Sequence, residues 1–339
     1  MTYLIKDKYF PKKFEEFLFH EKRLRFYKNV SYNNDIPNII IYGPNGSGKY
    51  TIATNILNSL YGQNIKKNLV KFNILKTPGN YKEVEIFKSN YHYEINVNKY
   101  LFNDNSTLCN LLNSLINTFN VNTLSYNIII VRNIEFLQKE IIDYFKCLSE
   151  KYSSTVRLIL ITSNFSSISS DLLGRFSTIR VPAPSNNEIK KYIKFVSNKE
   201  KIKISEKNID LITKNCERNL NKLTLILQFS ITKNTFVPYK DPLKSKIKEI
   251  IGLCNSKNVS NILVIRSKVY DLITQNHSIN DIFKYLVKYI FKLKVDINIK
   301  QNLLQQAAIY QHRTKKSYKE IIHIEAFIML IMKELSTIK

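Results

Sequence analysis

The sequence predicts an α/β fold, a parallel sheet with helices on both faces, followed by a small helical lid and an all-α C-terminal domain. Three observations carry this. A glycine-rich loop, Gly43-Pro44-Asn45-Gly46-Ser47-Gly48-Lys49-Tyr50-Thr51, stands between the apolar run Ile39-Ile40-Ile41-Tyr42 and a helix-like stretch from Ile52 to Leu60. Short β-branched runs then alternate with helical stretches as far as Val181, which is the pattern of a parallel, doubly wound sheet. Beyond Pro184 the periodicity is helical only.

Residues 1–36 form a polar and aromatic lead-in, and residues 37–42 read as the first buried strand. Tyr91 to Val97 alternates like a strand. Asn127 to Val131, Arg157 to Thr162 and Thr178 to Val181 are short runs suited to strands buried on both faces. Helices are expected at Thr107 to Phe119 and Ile141 to Lys151. Pro182-Ala183-Pro184 closes this region, and Ser185-Asn-Asn-Glu188 reads as a capping box opening a new helix. Phe236 to Pro242 holds two prolines and reads as a linker. From Lys244 onward apolar residues recur at spacings of three and four, with Ile321 to Leu330 as one well-buried helix. The expected regions are 1–184, a nucleotide-binding base; 185–235, a helical lid; and 236–339, a helical domain.

A strand, a glycine-rich turn and a helix start fit the phosphate-binding pattern G-x-x-x-x-G-K. Glycines let backbone N–H groups close around a polyphosphate, the helix N-terminus adds partial positive charge, and Lys49 reaches toward the terminal phosphates. The plain alternative is a tight strand-to-helix turn without a ligand. Three of the seven glycines in the chain fall within these nine residues, in the context that the motif requires. The motif is also altered. A Ser or Thr is expected after the lysine, where its short hydroxyl ligates magnesium. Tyr50 stands there, and Thr51 is turned away by one helical step of about 100°.

In ATPases with this loop a later strand ends in an acidic pair, one member holding magnesium and the other polarising water. The candidate strand here runs into Arg132-Asn133-Ile134-Glu135. Arg132 occupies the aspartate position and Asn133 the glutamate position, and neither performs that chemistry. Glu135 is acidic but lies two positions late. Ser163-Asn164, after the next strand, is either a contact to a terminal phosphate or an ordinary polar turn. Arg175, in Leu172-Leu173-Gly174-Arg175-Phe176, is either a finger toward a nucleotide on a neighbouring subunit or a structural arginine.

With 52 basic and 27 acidic residues, the formal charge of +25 favours a polyanionic partner such as nucleic acid. A codon pool rich in Asn, Ile and Tyr would raise the lysine content as well. No apolar run approaches the roughly 18–20 residues of a membrane span, so no membrane partner is expected. Cys109, Cys147, Cys216 and Cys254 form no C-x-x-C pair and the five histidines are scattered, so no metal site built on these side chains is expected.

Taken together, these residues resemble replication factor C, the eukaryotic sliding-clamp loader, an AAA+ assembly, and within it the small subunits of the subunit 3/5 type. Lys6-Asp7-Lys8-Tyr9-Phe10-Pro11 resembles the opening D-K-Y-R-P box, with Phe10 in place of Arg. Pro37 to Thr51 resembles the phosphate-loop box, and this subunit type commonly also lacks the hydroxyl residue after the lysine. Ser89 to Asn96, Glu150 to Ser153 leading to Arg157-Leu158-Ile159-Leu160, and Arg180 to Ser185 resemble further boxes. Ala307 to Arg313 and His323 to Phe327 resemble the C-terminal collar.

The departures are specific. The Ser-Arg-Cys finger box stands as Gly174-Arg175-Phe176. The sensor arginine expected in the lid is Asn221, and the first basic position of the family's L-R-R-T-M-E helix is Lys146. The resemblance implies an AAA+ base, lid and collar in a hetero-pentamer with other replication factor C subunits. It also implies a sliding clamp and primer–template DNA as partners without sequence preference, a nuclear location, and work in DNA replication and repair. It implies ATP or ADP at Gly43–Thr51, with Lys8, Tyr9 and Pro11 at the adenine end, weak or absent magnesium, little hydrolysis in cis, and Arg175 acting in trans. The alternatives are an active AAA+ ATPase of another type, or a nucleotide-binding scaffold subunit of a loader used in checkpoint or cohesion work.

Overall fold

The computed structural model describes residues 4–20, 26–29, 35–62, 65–77, 80–99, 105–118, 126–202, 204–232, 241–255, 260–275, 277–293, 295–317 and 319–336. The chain forms two compact units, Met1–Pro238 and Tyr239–Lys339.

The first unit is built on a seven-stranded sheet. Its strands are β1 (Ile39–Tyr42), β2 (Asn68–Thr77), β3 (Asn80–Lys88), β4 (His92–Asn96), β5 (Asn127–Arg132), β6 (Val156–Thr162) and β7 (Ser177–Arg180), in the order β2-β3-β4-β5-β6-β1-β7. The strands β4, β5, β6, β1 and β7 pair in parallel. The pairs β2–β3 and β3–β4 are antiparallel, so the sheet is mixed, with a hairpin added to its parallel part.

Period-2 alternation sorts the side chains of the central strands into two layers. Ile40, Ile95, Ile129, Val131, Leu158 and Leu160 pack on one face, against helices α2 (Asn105–Ile116) and α3 (Lys139–Lys151). Ile39, Ile41, Ile128, Ile130, Ile159 and Ile161 pack on the other. There they meet helix α1 (Lys49–Tyr61) together with Phe14, Phe17 and Tyr27 of the lead-in. A strand covered on both faces must be apolar at every position, which explains the β-branched runs.

Helices α4 (Asn186–Lys199), α5 (Glu206–Asn215) and α6 (Leu220–Thr232) follow. Ser185 and Glu188 form the capping box of α4. Arg218, in the left-handed conformation between α5 and α6, donates to the carbonyls of Pro184 at 2.8 Å and Ala183 at 3.0 Å. These bonds tie the lid to the segment that leaves the sheet, and the lid helices belong to the same compact unit as the base. The linker expected at Phe236–Pro242 lies, apart from its last two residues, outside the described residues, as does Phe119 at the end of the expected α2.

The second unit is all helical: α7 (Pro242–Asn255), α8 (Asn261–Thr274), α9 (Ile279–Lys292), α10 (Ile297–Lys316) and α11 (Glu320–Ser336). Ile247, Ile265, Leu272, Phe283, Leu286, Ile324, Phe327 and Ile331 form its core. Arg266 of α8 and Glu325 of α11 join in a two-pronged ion pair at 2.9 and 3.0 Å. No helix among the described residues is long and apolar enough to cross a membrane.

Candidate nucleotide site

Residues 43–48 turn from the end of β1 into the start of α1, at the carboxyl edge of the parallel strands. Gly46 and Gly48 adopt φ values of +74° and +95°, where an L side chain is strained. Space is limiting as well. A Cβ on Gly43 would lie 2.0 Å from the Val181 carbonyl oxygen, and one on Gly46 would lie 1.9 Å from Asn219 Oδ1. Asn219 cannot easily yield, because Oδ1 accepts from the backbone N–H groups of Asn221 and Lys222 at the start of α6. The Leu220 N–H donates to the Gly46 carbonyl at 2.9 Å, so loop and lid are joined directly.

The loop opens into a cavity of about 630 Å³. One wall is the loop itself, Asn45 to Thr51. The lead-in supplies Lys8, Tyr9 and Pro11, the end of β5 and the residue after it supply Arg132 and Asn133, and the lid supplies Tyr192, Phe195 and Asn221. The structure therefore brings together both ends of the site read from sequence. Pro44 takes part through its carbonyl, which accepts from the Ser47 N–H at 3.3 Å. Arg175 is not among the lining residues. It lies before β7 with its side chain 45% exposed, paired with Glu150 at 2.5 Å.

Two features of the cradle suit a polyphosphate. The Ser47 hydroxyl is buried without a hydrogen-bond partner among the described residues. The first N–H groups of α1 have no partner within the helix. Lys49 donates to the carbonyls of Gly43 at 2.7 Å and Pro44 at 3.0 Å. Burial pushes its ammonium below the usual lysine range, against the opposing pull of the Glu135 carboxylate. At the other end, Tyr9 Oη and Lys8 Nζ both donate to Glu200 Oε1, at 2.6 and 2.7 Å, and Tyr9 meets Phe195 edge-on. Glu200 caps the end of α4, so the lead-in is latched to the lid on this side of the cavity.

Where a magnesium ion would be expected, the residues do not fit one. Tyr50 engages its phenol with Glu94, donating to Oε2 at 3.0 Å. Arg132 Nη1 donates to Glu94 Oε1 at 2.9 Å, and its guanidinium lies 4.1 Å over the Tyr50 ring. Lys67 Nζ pairs with Glu94 Oε2 at 2.8 Å and also reaches the Tyr50 hydroxyl. Burial alone would raise the Glu94 carboxyl. The charge and hydrogen bonds of Lys67 and Arg132 outweigh this and hold it below the usual range. Among the described residues no group of three or more His, Cys, Asp or Glu is arranged to hold a metal.

The base position is filled as inertly. Asn133 is in the left-handed region, which Asn tolerates, and its amide donates to Asn96 Oδ1 at 3.0 Å. Glu135 points to the end of β6, accepting from Ser163 Oγ at 2.6 Å, Thr162 Oγ1 at 3.0 Å and the Ser163 N–H at 3.2 Å. The Ser163 hydroxyl is thus engaged with Glu135. Sequence reasoning missed Glu94, Lys67 and Glu200 as members of this site. The available signal was Glu94 itself, a carboxylate inside a strand otherwise buried on both faces, which demands a cation.

The replication factor C small subunit of Acanthamoeba polyphaga mimivirus is 30% identical to this chain over 340 residues, spanning 97% of this chain and 90% of that protein. The chain belongs to the replication factor C small-subunit family. Replication factor C subunit 5 of Schizosaccharomyces pombe is 28% identical over 342 residues, covering 96% of this chain and 95% of its own length. Human replication factor C subunit 3 is 27% identical over 336 residues, covering 96% and 94%. Residues 245–339 match the family model for the C-terminal domain of replication factor C subunit 3, which coincides with α7–α11. Among solved structures, a Thermotoga maritima RuvB variant aligns with a TM-score of 0.49 at 14% identity, covering 72% of this chain and 79% of that chain.

Proposed function

We propose that this chain is a nucleotide-holding small subunit of a replication factor C clamp loader, whose own site binds ATP or ADP with little or no hydrolysis. The single observation that carries this is the pairing of an intact cradle with a dismantled metal and base position. Asn45–Thr51 open onto a cavity large enough for a nucleotide, while Tyr50, Arg132 and Asn133 stand where magnesium and water would be handled. Gly46, Ser47, Gly48, Lys49 and Thr51 would hold the phosphates, and Lys8, Tyr9 and Pro11 would border the base. The nucleotide would supply a rigid link between base and lid, not a reaction in cis.

The family gives the rest of the reading. The helices α7–α11 would join other replication factor C subunits into a ring that loads a sliding clamp at primed DNA in the nucleus. The charge of +25 supports contact with a DNA backbone. Arg175, exposed and outside the cavity of its own chain, would act on the nucleotide of a neighbouring subunit, where a guanidinium stabilises the charge that spreads over a phosphoryl group in transfer. The test is equilibrium binding of labelled ATP and ADP to the purified chain, beside steady-state ATPase. Binding that is lost in Lys49→Ala, with turnover at background, is expected. Clear turnover abolished by Lys49→Ala would overturn the reading.

A further inference from the structure

We propose that Arg132 is a phosphate-binding residue that takes the place of the divalent cation, so that this chain binds nucleotide without metal. The proposal rests on the nucleotide-binding reading above and deepens it. Loss of an aspartate explains only why a metal is absent. Arg132 does more than remove a ligand, because it brings a fixed positive charge to the strand end that faces the phosphate loop. Arg132 lines the same cavity as Ser47, Gly48, Lys49 and Thr51.

The arginine is held for this purpose from two sides. One edge of the guanidinium is anchored by Glu94 at 2.9 Å, and one face rests 4.1 Å from the Tyr50 ring. A guanidinium carries five N–H donors in a fixed fork. Among the described residues, Glu94 is the one hydrogen-bond acceptor of Arg132, so most of the fork remains for an anion. A purely structural arginine would be there to neutralise Glu94. That task is already performed by Lys67, which reaches the same buried carboxylate at 2.8 Å. One carboxylate against two cations leaves a surplus of one positive charge beside the loop. The same surplus disfavours a divalent cation, since like charges brought close together in a partly buried site repel. Tyr50 completes the exchange. The residue that would present a hydroxyl to a metal instead presents a ring on which the guanidinium stacks.

The test is calorimetric titration of ADP into the full-length chain, once with excess magnesium and once with EDTA. The wild-type dissociation constants should agree within about twofold. Arg132→Gln should weaken binding about tenfold or more in both conditions, the loss expected for charge-assisted hydrogen bonds. Arg132→Lys should recover part of it, because a point charge replaces the fork incompletely. Thermal unfolding of each variant reports whether it folds, and the wild-type comparison needs no variant at all. Wild-type binding that weakens by more than about twofold in EDTA would overturn the proposal. So would a folded Arg132→Gln that binds as tightly as wild type without metal. If ADP fails to bind in either condition, the nucleotide-binding reading itself falls and takes this inference with it.

Discussion

Replacing Glu94 by Gln tests the cluster that Glu94 forms with Lys67, Tyr50 and Arg132. Glu94 is 1% exposed and serves two cations, Lys67 at 20% and Arg132 at 29% exposure. Removing one partner of a buried ion pair costs about 3–5 kcal/mol, because the remaining charge is left uncompensated. Here the remaining charges are partly solvated, so the cost falls to about 2–3 kcal/mol. Unfolding entropy near 2.1 cal/mol/K per residue gives roughly 0.5 kcal/mol/K for a unit of 238 residues. The unfolding transition of the first unit should therefore drop by about 4–6 °C, read by scanning calorimetry in the absence of nucleotide. Adding Lys67→Met to Glu94→Gln should recover part of the loss, since one stranded charge is removed with its partner. A drop below about 1 °C for Glu94→Gln would refute the idea that this carboxylate balances the site.

Two further outcomes follow from the geometry. Burial, reinforced by Lys67 and opposed by Glu94, holds the His92 imidazole down at about 4, against an ordinary 6.5. The unfolded chain therefore takes up the proton first, so about 3 kcal/mol of stability present above 6.5 is lost progressively as pH falls toward 4; urea midpoints should decline across that window and flatten in His92→Asn. Arg175→Ala should leave folding and nucleotide binding by this chain unchanged, since its pair with Glu150 is exposed and worth little. In reconstituted complexes the same variant should lower steady-state ATPase, and equal rates would remove the trans role.

The parallel strands were legible because each is covered on both faces and so reads as an unbroken β-branched run. The phosphate loop was legible because its glycines are demanded by backbone conformation and close approach. The hairpin β2–β3 was not read. Its charged residues, such as the pair Lys71–Glu83 at 3.1 Å, interrupt the apolar alternation of Val84 and Ile86 and make the run look like polar loop. A turn signal was present in Pro78-Gly79 between the two strands. The partners of Tyr50 were out of reach for a different reason. Lys67 is 27 residues from Glu94 and Arg132 is 38 residues from it. The sheet order, with β4 beside β5, brings Glu94 and Arg132 together, and Lys67 joins them from just before β2. The same holds for the latch between Tyr9 and Glu200, which are 191 residues apart.

The departures at Tyr50 and Arg132 are better understood as one substitution than as two losses. Restoring a hydroxyl at Tyr50 alone would leave a guanidinium where a cation must sit and would remove the ring on which it stacks. Replacing Arg132 by Asp alone would remove one of the two counter-charges of the buried Glu94 and add a negative charge at the same strand end, with Lys67 as the one remaining partner. Each single reversion is therefore uphill, even though the pair of changes together points toward a metal site. Asn133→Glu is uphill in function for the same reason. It would supply a base beside a position that holds a guanidinium in place of a metal, and would cost the bond to Asn96. Glu94, Lys67, Tyr50 and Arg132 contact one another directly, so a change at any one of them disturbs the other three.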